Sequence, residues 1–431
     1  MRLPRSLAWT LLLAACSDAS GTTVDTRDAT AVGTTVADTA AASDTTAVTD
    51  ATTVTDATTP TDTTTVTDAT TPTDTTESPA YWVMGYYAGY DAQAYPVDAI
   101  AWGSLTHLAV AFYLVEDDGS LDERLFIDDT AGPALARSLI AGAHAHGVQA
   151  IASIGGAGLH DRWVQAASEA HRATFVANLV DLVARYGYDG LDLDWEPIDA
   201  GDGPAVTALV HALRLALPHA TLTMPVGVEN ANFPSDLSLY AALASELDQI
   251  NITSYGMAGA WEGWKSWHGS ALYQTDAATP TSVDVSVRGY LGAGVPPARL
   301  GVGAGFYGLC YSPPVDGPDQ PLNGATITAD DGAIAYSHVI ADYDTPAARR
   351  WDDAAHVPYL SFASATGPAG CGFLSYEDAR SLGDKAAYMI DHQLGGIIIW
   401  TINQGYLADA PAGARNPLLD ALGAALLTPA R

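Results

Sequence analysis

The chain has 431 residues, 48% of them hydrophobic, and a formal charge of −32 from 50 acidic and 18 basic residues. A field of that sign repels nucleic acid and anionic lipid, so neither is expected as a binding partner. A neutral substrate is compatible with the charge. The acidity also has a simpler interpretation, which is that it keeps the surface soluble.

Residues 1–16 have the pattern of an export signal. Two arginines precede an apolar run from Leu7 to Ala15 that is too short to cross a bilayer as a stable helix. The run ends in LAAC and resembles the bacterial lipobox, in which the cysteine is lipidated and becomes the mature N-terminus. The resemblance implies a lipid anchor at Cys16. An ordinary cleaved signal peptide is the alternative, and both interpretations export the protein.

Residues 17–79 are rich in Thr, Ala and Asp and contain a repeated unit, VTDATTPTDTTT from Val54 and VTDATTPTDTTE from Val66. Such a segment cannot bury enough apolar surface to offset its ordering entropy. We therefore predict a disordered linker that separates a folded domain, residues 80–431, from the membrane.

From Ala80 onward, apolar runs typical of strands alternate with stretches typical of helices. The helix predicted from Arg172, for example, places Phe175, Leu179, Leu182 and Val183 at helical spacing. Eight such alternations favour an α/β fold of the (β/α)8 TIM-barrel type, with a doubly wound sheet as the alternative. The eight strand candidates begin at Tyr81, Leu105, Val148, Gly190, Thr221, Gln249, Leu300 and Gly395.

The segment between the seventh and eighth predicted strands is long and rich in Pro, Gly and Asp. We interpret residues 310–371 as a small insertion on the top of the barrel. Cys310 and Cys371 lie at its base, and export to an oxidising compartment permits a disulfide between them.

The sequence YDGLDLDWEP, at residues 188–197, contains three regularly spaced acids. In a strand, Asp192, Asp194 and Glu196 project to one face and alternate with Leu191, Leu193 and Trp195. Like charges on one inward face raise at least one pKa, which keeps a carboxyl protonated as a general acid requires. The alternatives are a hard-cation site and a salt-bridged structural cluster. The first is disfavoured by the apolar residues between the acids, and the second by the distance in sequence to any basic residue.

This stretch matches the DGxDxDxE signature of family 18 glycoside hydrolases, the chitinases and their relatives, and the chain resembles that family from Tyr81 to about Leu407. Other segments are similar to the family in the correct order. They are Gly85-Tyr86-Tyr87, Thr106-His107, Ala111-Phe112, Ser153-Ile154-Gly155-Gly156, Met224-Pro225, Asn251 with Tyr255, Gly305-Phe306-Tyr307-Gly308, and Gly395-Gly396 with Trp400.

The resemblance implies a retaining, substrate-assisted hydrolysis, which is an exception to the two-carboxylate scheme. Glu196 would protonate the glycosidic oxygen while the sugar's own 2-acetamido oxygen attacks the anomeric carbon. Asp194 would hold the acetamido N–H, and Asp192 would share a proton or hydrogen bond with Asp194. The remaining roles implied by the resemblance are support of Asp192 by Tyr86 and Ser153, a hydroxyl donated by Tyr255, an apolar floor formed by Trp400, and sugar contacts from Phe112 and Met224.

Two features lie outside the shared pattern. Trp261, Trp264 and Trp267 cluster in a loop after the sixth predicted strand, where Trp261 is a candidate for stacking on sugar faces, with a local hydrophobic cluster as the alternative. The family commonly has Met-x-Tyr-Asp on that strand, whereas this chain has Thr253 and Gly256 at the Met and Asp positions. The missing aspartate normally helps to bind the sugar at the cleavage site.

Three functions therefore compete. The first is a chitinase, the second an endo-β-N-acetylglucosaminidase or peptidoglycan-active relative, and the third a non-catalytic chitin-binding lectin. We expect a monomer that binds chitin or another N-acetylglucosamine-containing glycan, uses no metal or cofactor, and is lipid-anchored at a bacterial cell envelope or secreted. Relatives that only bind sugars have usually lost the glutamate, which this chain retains.

Overall fold

The structure, a computed structural model, describes residues 81–428. These residues belong to a structural unit that runs from Ser78 to Arg431. The predicted signal segment, Cys16 and the linker lie outside the described residues and stay predictions. Among the described helices, none has the length and apolarity needed to cross a membrane.

Strands and helices alternate through most of the described chain. The strands are β1 (Trp82–Ala88), β2 (His107–Val115), β3 (Leu121–Asp122), β4 (Gln149–Ala157), β5 (Gly190–Glu196), β6 (Thr221–Val226), β7 (Gln249–Ile252), β8 (Leu300–Gly305), β9 (Leu309–Tyr311), β10 (Ile327–Ala329), β11 (Arg349–Asp352), β12 (Val357–Thr366), β13 (Cys371–Ser375) and β14 (Gly396–Trp400). The helices are α1 (Ala131–Ala145), α2 (His160–Ala166), α3 (Arg172–Tyr186), α4 (Gly203–Ala216), α5 (Ser238–Leu243), α6 (Val283–Ala293), α7 (Tyr336–His338), α8 (Ala379–Asp391) and α9 (Pro417–Leu426).

Eight parallel strands close into a barrel. Their order is β1-β14-β8-β7-β6-β5-β4-β2, and β1 pairs with both β14 and β2, which completes the ring. β3 adds to β2 in the antiparallel sense outside the ring. All eight predicted strands are present, so the (β/α)8 TIM barrel is confirmed and the doubly wound alternative is wrong.

The helix predicted from Arg172 shows why the outer layer forms. It spans α3, and Phe175, Leu179 and Leu182 are fully buried on the side that faces the barrel. The helix ends at Gly187, whose φ of 83° needs the left-handed conformation that glycine adopts without strain. A helix with one apolar stripe therefore covers the sheet and leaves its polar side to solvent.

The barrel interior holds an apolar cluster that is separate from the core under the helices. We call it the inner cluster. Its buried members are Met84, Tyr86, Ala109, Ala111, Phe112, Ile151 and Ile398, with Tyr255 and Trp400 packed against them. In a barrel of this type the carboxyl ends of the strands converge at one face, where the site residues are expected.

The insertion between β8 and β14, the seventh and eighth barrel strands, is a small antiparallel sheet of order β10-β9-β13-β12-β11. Its outer bounds are 309–375, a few residues wider than predicted, because β9 and β13 pair directly and carry both cysteines into the sheet. The structure joins the sulfurs of Cys310 and Cys371 in a disulfide that spans 61 residues of sequence.

Candidate active site

The three acids of the motif form a graded series along β5. Asp192 is fully buried, Asp194 is 6% exposed, and Glu196 is half-buried at the last position of the strand. Leu191, Leu193 and Trp195 belong to the core beneath the helices. The strand therefore alternates as predicted, with the acids pointing into the barrel and Glu196 nearest its mouth.

Asp192 at the bottom of the series is held by three hydroxyl groups from three different strands. Tyr86 and Ser153 each donate to Oδ2 at 2.8 Å, and Thr223 donates to Oδ1 at 2.5 Å. Ser153 and Thr223 stand directly opposite Asp192 in the registers of β4 and β6. The predicted support by Tyr86 and Ser153 is thus present, and Thr223 is a third partner that sequence reasoning missed.

Asp194 has a different environment. Its Oδ1 is buried and has no hydrogen-bond partner among the described residues. Its main-chain carbonyl accepts a hydrogen bond of 3.2 Å from the indole of Trp163, which stacks on Trp195. The indole of Trp163 therefore holds the main chain of β5 from the helical layer. Oδ1 of Asp194 stays without a hydrogen-bond partner among the described residues.

Gly155 explains part of the SxGG segment. Its φ is 103°, and a Cβ atom at this position would lie 2.3 Å from the carbonyl oxygen of Asp194 and 2.5 Å from the Trp163 indole nitrogen. A side chain cannot be accommodated there without moving β4 away from β5. The glycine thus permits the close approach that places Ser153 on Asp192.

Electrostatics separate the three acids from ordinary surface carboxyls. Burial, followed by the charge of Asp192, raises the pKa of Glu196 to about 7. Burial and the neighbouring charges of Glu196 and Asp192 raise the pKa of Asp194 well above its usual range. Burial also raises the pKa of Asp192, although its three hydroxyl donors oppose the shift. The cluster therefore retains protons near neutral pH.

Aromatic side chains surround the carboxylates. Trp400 at the end of β14 stacks on Phe112, with ring centroids 5.6 Å apart, and contacts Tyr86 at the same distance. Tyr255 packs edge-on against Tyr307, a residue to which sequence reasoning gave no role of its own. Burial raises the pKa of Tyr255 well above its ordinary value, so its hydroxyl stays a hydrogen-bond donor.

Met224 does not join this group, and its predicted sugar contact needs correction. Thr223 points inward to Asp192, so the next residue of the strand points outward. Met224 is 1% exposed and belongs with Leu222 and Val226 to the core beneath the helices. The resemblance identified the correct strand, but the alternation of side chains places Thr223, and not Met224, on the inner face.

The tryptophan loop divides into an exposed part and a buried part. Trp261 is 47% exposed and packs edge-on against Trp264 at 4.6 Å. Trp267 is fully buried and packs into the core of the insertion. Trp261 therefore remains a candidate for sugar stacking, while Trp267 has a structural role.

Gly256 occupies a position with unusual backbone geometry. Its φ is 61°, and a Cβ atom there would lie 3.1 Å from the hydroxyl of Tyr307. A side chain at this position would need both a left-handed backbone and a shift of Tyr307. Glycine adopts this backbone conformation without strain and leaves the Tyr307 hydroxyl in its place.

The donor set around Asp192 bears on the cation alternative. Its two oxygens accept hydrogen bonds from three hydroxyl groups, an arrangement that suits a hydrogen-bonded carboxyl rather than a ligand of a hard cation. The geometry instead provides a proton-holding acid, a buried acceptor and an apolar wall on one face of a pocket.

The sequence profile of glycosyl hydrolases family 18 matches residues 82–405, and the chain belongs to that family. Chitinase A1 of Niallia circulans is 31% identical over 318 residues, which are 63% of this chain and 44% of that protein. The chain thus spans less than half the length of this curated relative.

Solved structures share the fold. The Group IV chitinase of Ostrinia furnacalis in complex with allosamidin superposes with a TM-score of 0.66 at 22% identity, covering 80% of this chain and 99% of that chain. Human YKL-39, described as a pseudo-chitinase with retained chitooligosaccharide binding, superposes with a TM-score of 0.68 at 20% identity, covering 81% and 100%. Enzymes and binding proteins both use this barrel, so function rests on the site residues.

Proposed function

We propose that this chain is a retaining glycosidase that hydrolyses β-1,4-linked N-acetylglucosamine polymers such as chitin. The observation that carries the proposal is Glu196, a half-buried carboxyl at the mouth of the barrel whose pKa is raised to about 7. A carboxyl that keeps its proton near neutral pH meets the main requirement of a general acid. Chitinase A1, named as a chitinase, agrees with this substrate.

In the first proposed step Glu196 donates its proton to the glycosidic oxygen as the bond to the anomeric carbon breaks. The carbonyl oxygen of the sugar's 2-acetamido group forms a new bond to that carbon, which gives an oxazolinium ion and releases the leaving sugar as an alcohol. In the second step water attacks the same carbon, its proton passes to Glu196, and the acetamide is restored. The anomeric configuration is retained after two inversions.

The other residues would stabilise this sequence. The unpaired, buried Oδ1 of Asp194 supports a role in accepting the acetamido N–H, which gains positive charge in the first step. The neutral phenol of Tyr255 would donate a hydrogen bond to the acetamido carbonyl, and Trp400 would pack beneath the sugar ring. The steps use side chains and the substrate's own acetamide, so they need no cofactor.

The same chemistry serves an endo-β-N-acetylglucosaminidase or a peptidoglycan-active enzyme, which remain alternatives of the same class. The alternative of another class is a non-catalytic lectin. Gly256, which leaves the family aspartate absent, favours it, and YKL-39 shows that this barrel serves a pseudo-chitinase. The retained Glu196 and Asp194 favour the enzyme.

Product analysis separates these functions. The full chain is incubated with N-acetylglucosamine hexamer, an N-glycoprotein and peptidoglycan, and the products are identified by mass spectrometry. We expect the hexamer to be cut to shorter oligomers. Binding of the hexamer without any cleavage would identify a lectin, and cleavage of the glycoprotein or peptidoglycan alone would identify one of the related enzymes.

The pKa of Glu196 predicts the pH dependence of the reaction. Its pKa is raised to about 7, so the proton-donating form dominates below that pH and is lost above it. We expect kcat/KM on the hexamer to fall about tenfold per pH unit once the pH exceeds about 7, as for loss of one essential proton. A rate that stays constant up to pH 9 would contradict the assignment of Glu196 as the acid.

We also propose that the protein is exported and tethered to the cell envelope through lipid on Cys16, with residues 17–79 as a spacer. The support is the sequence pattern alone. The expected result is that Cys16→Ala moves the protein from the membrane fraction to the soluble fraction. A parent protein that is already in the soluble fraction would favour an ordinary cleaved signal peptide, and a variant that stays in the membrane fraction would contradict the anchor at Cys16.

A further inference from the structure

The insertion contributes a carboxylate to the wall of the barrel pocket. Oδ1 of Asp331, which lies between β10 and α7, accepts a hydrogen bond of 3.0 Å from the indole N–H of Trp400. The same oxygen accepts a second hydrogen bond of 2.8 Å from the side-chain amide of Gln404. A residue of the insertion thus binds the aromatic side chain that ends the last barrel strand.

The turn that carries Asp331 is fixed to the barrel from both sides. The main chain of Gly308 donates to the carbonyl of Ile334 at 2.9 Å, and Ser337 donates to the carbonyl of Gln404 at 3.1 Å. Asp331 itself has a φ of 44°, in the left-handed region that few residues other than glycine adopt. A non-glycine residue is kept in this conformation where surrounding contacts determine it, and such positions cluster at functional sites.

The remaining contacts of the Trp400 ring are less directional. Phe112 stacks on it with an interplanar angle of 26°, and Tyr86 meets it at 59°. Ring stacking tolerates sliding and rotation within the plane, whereas an N–H donated to a carboxylate fixes the orientation of the indole. The Asp331 contact therefore determines how the ring is presented to the pocket.

Asp331 also acts on the tyrosines that follow β8 and β7, the two barrel strands that come after β14 in the ring. Its negative charge contributes to raising the pKa values of Tyr255 and Tyr307, after the larger effect of burial. Burial is the main reason that both tyrosines stay neutral hydrogen-bond donors, and the charge of Asp331 acts in the same direction.

We infer that Asp331 is a positioning residue, which holds the Trp400 indole in place as the floor of the sugar site and makes the insertion part of that site. This inference rests on the proposed function, because it assumes that a sugar binds over Trp400. The two are tested by different measurements. The role of Asp331 is tested by sugar binding, which can be measured without turnover.

The experiment compares variants in a Glu196→Gln background by isothermal titration with N-acetylglucosamine tetramer. Asp331→Ala removes the acceptor, and we expect binding to weaken by about tenfold to a hundredfold, the range for a hydrogen bond to a charged group. Asp331→Asn keeps an acceptor oxygen, and we expect its affinity to stay within about threefold of the background. This rescue separates positioning of the indole from a general loss of packing.

Trp400→Phe removes the same hydrogen bond from the other side without altering the insertion. If the bond is the cause, Asp331→Ala combined with Trp400→Phe should bind no more weakly than Trp400→Phe alone. Asp353→Ala, which removes a 93% exposed carboxylate elsewhere in the insertion, is the matched control and should bind like the background. Thermal unfolding of each variant checks that the fold persists.

The outcomes distinguish the two proposals. Undiminished binding by Asp331→Ala, or losses that simply add in the double variant, would overturn the role of Asp331 and leave the proposed function intact. A Glu196→Gln background that binds no tetramer at all would overturn both.

Discussion

Replacing Glu196 by Gln is expected to reduce kcat on N-acetylglucosamine oligomers by at least about 10²–10⁴-fold, the usual contribution of a general acid–base group. Glutamine has nearly the same shape, but its amide can neither donate a proton to the leaving oxygen nor accept one from water. The pocket otherwise keeps its walls, so binding of the oligomer should remain measurable. Steady-state kinetics and titration on the same preparation give both quantities.

The control for this substitution is Glu169→Gln, which makes the same chemical change at an exposed glutamate after α2. We expect that variant to keep the parent's kcat. Turnover by Glu196→Gln within tenfold of the parent would show that another group donates the proton, and the assignment of β5 as the catalytic strand would have to be abandoned.

Replacing Asp194 by Asn is expected to lower kcat/KM by about 10²–10³-fold, comparable to the loss of a group aimed at developing charge in a transition state. Oδ1 of Asp194 is buried and unpaired among the described residues, so it is available to the acetamido N–H. Asparagine cannot carry the negative charge that would stabilise the positive charge of the oxazolinium ion. Hydrolysis of an aryl glycoside of the N-acetylglucosamine dimer provides the rate.

The substrate provides the control for Asp194. An oligomer of glucose has no acetamido group. The parent and Asp194→Asn should therefore bind it with the same affinity. For the N-acetylglucosamine oligomer, a variant rate within tenfold of the parent would mean that Asp194 does not hold the acetamide. Hydrolysis would then have to proceed without the neighbouring-group step.

Much of the fold could be predicted because its determinants are local. Each barrel strand is a short apolar run between polar segments, and α3 has its apolar residues at helical spacing. The alternation of DLDWE in β5 was sufficient to place Asp192, Asp194 and Glu196 on the inner face. The closed ring followed from the number and order of these units.

The parts that were missed depend on contacts between segments distant in sequence. Thr223 reaches Asp192 because β5 and β6 pair in one particular register, and nothing in the sequence near Thr223 indicates that register. The one-residue difference between Thr223 and Met224 decides which side chain faces the pocket. Strand prediction located β6 correctly and still assigned the wrong residue.

Asp331 and Trp163 illustrate the same limit for loops and helices. Asp331 lies 69 residues from Trp400, in an insertion whose turn is held to the barrel by main-chain hydrogen bonds such as that from Ser337 to Gln404. Trp163 is in α2 and reads as an ordinary core residue, yet its indole donates to the carbonyl of Asp194. A motif within one strand does not indicate which residues of other helices or loops will form hydrogen bonds with the site.

The anomeric form of the first product tests the account most directly. Hydrolysis of the N-acetylglucosamine hexamer by the full chain, followed by proton NMR in the first minutes, should show new reducing ends in the β form, which then convert slowly to the equilibrium mixture. Initial release of the α form would exclude an acetamide that attacks from within the substrate and would contradict the roles given to Glu196 and Asp194.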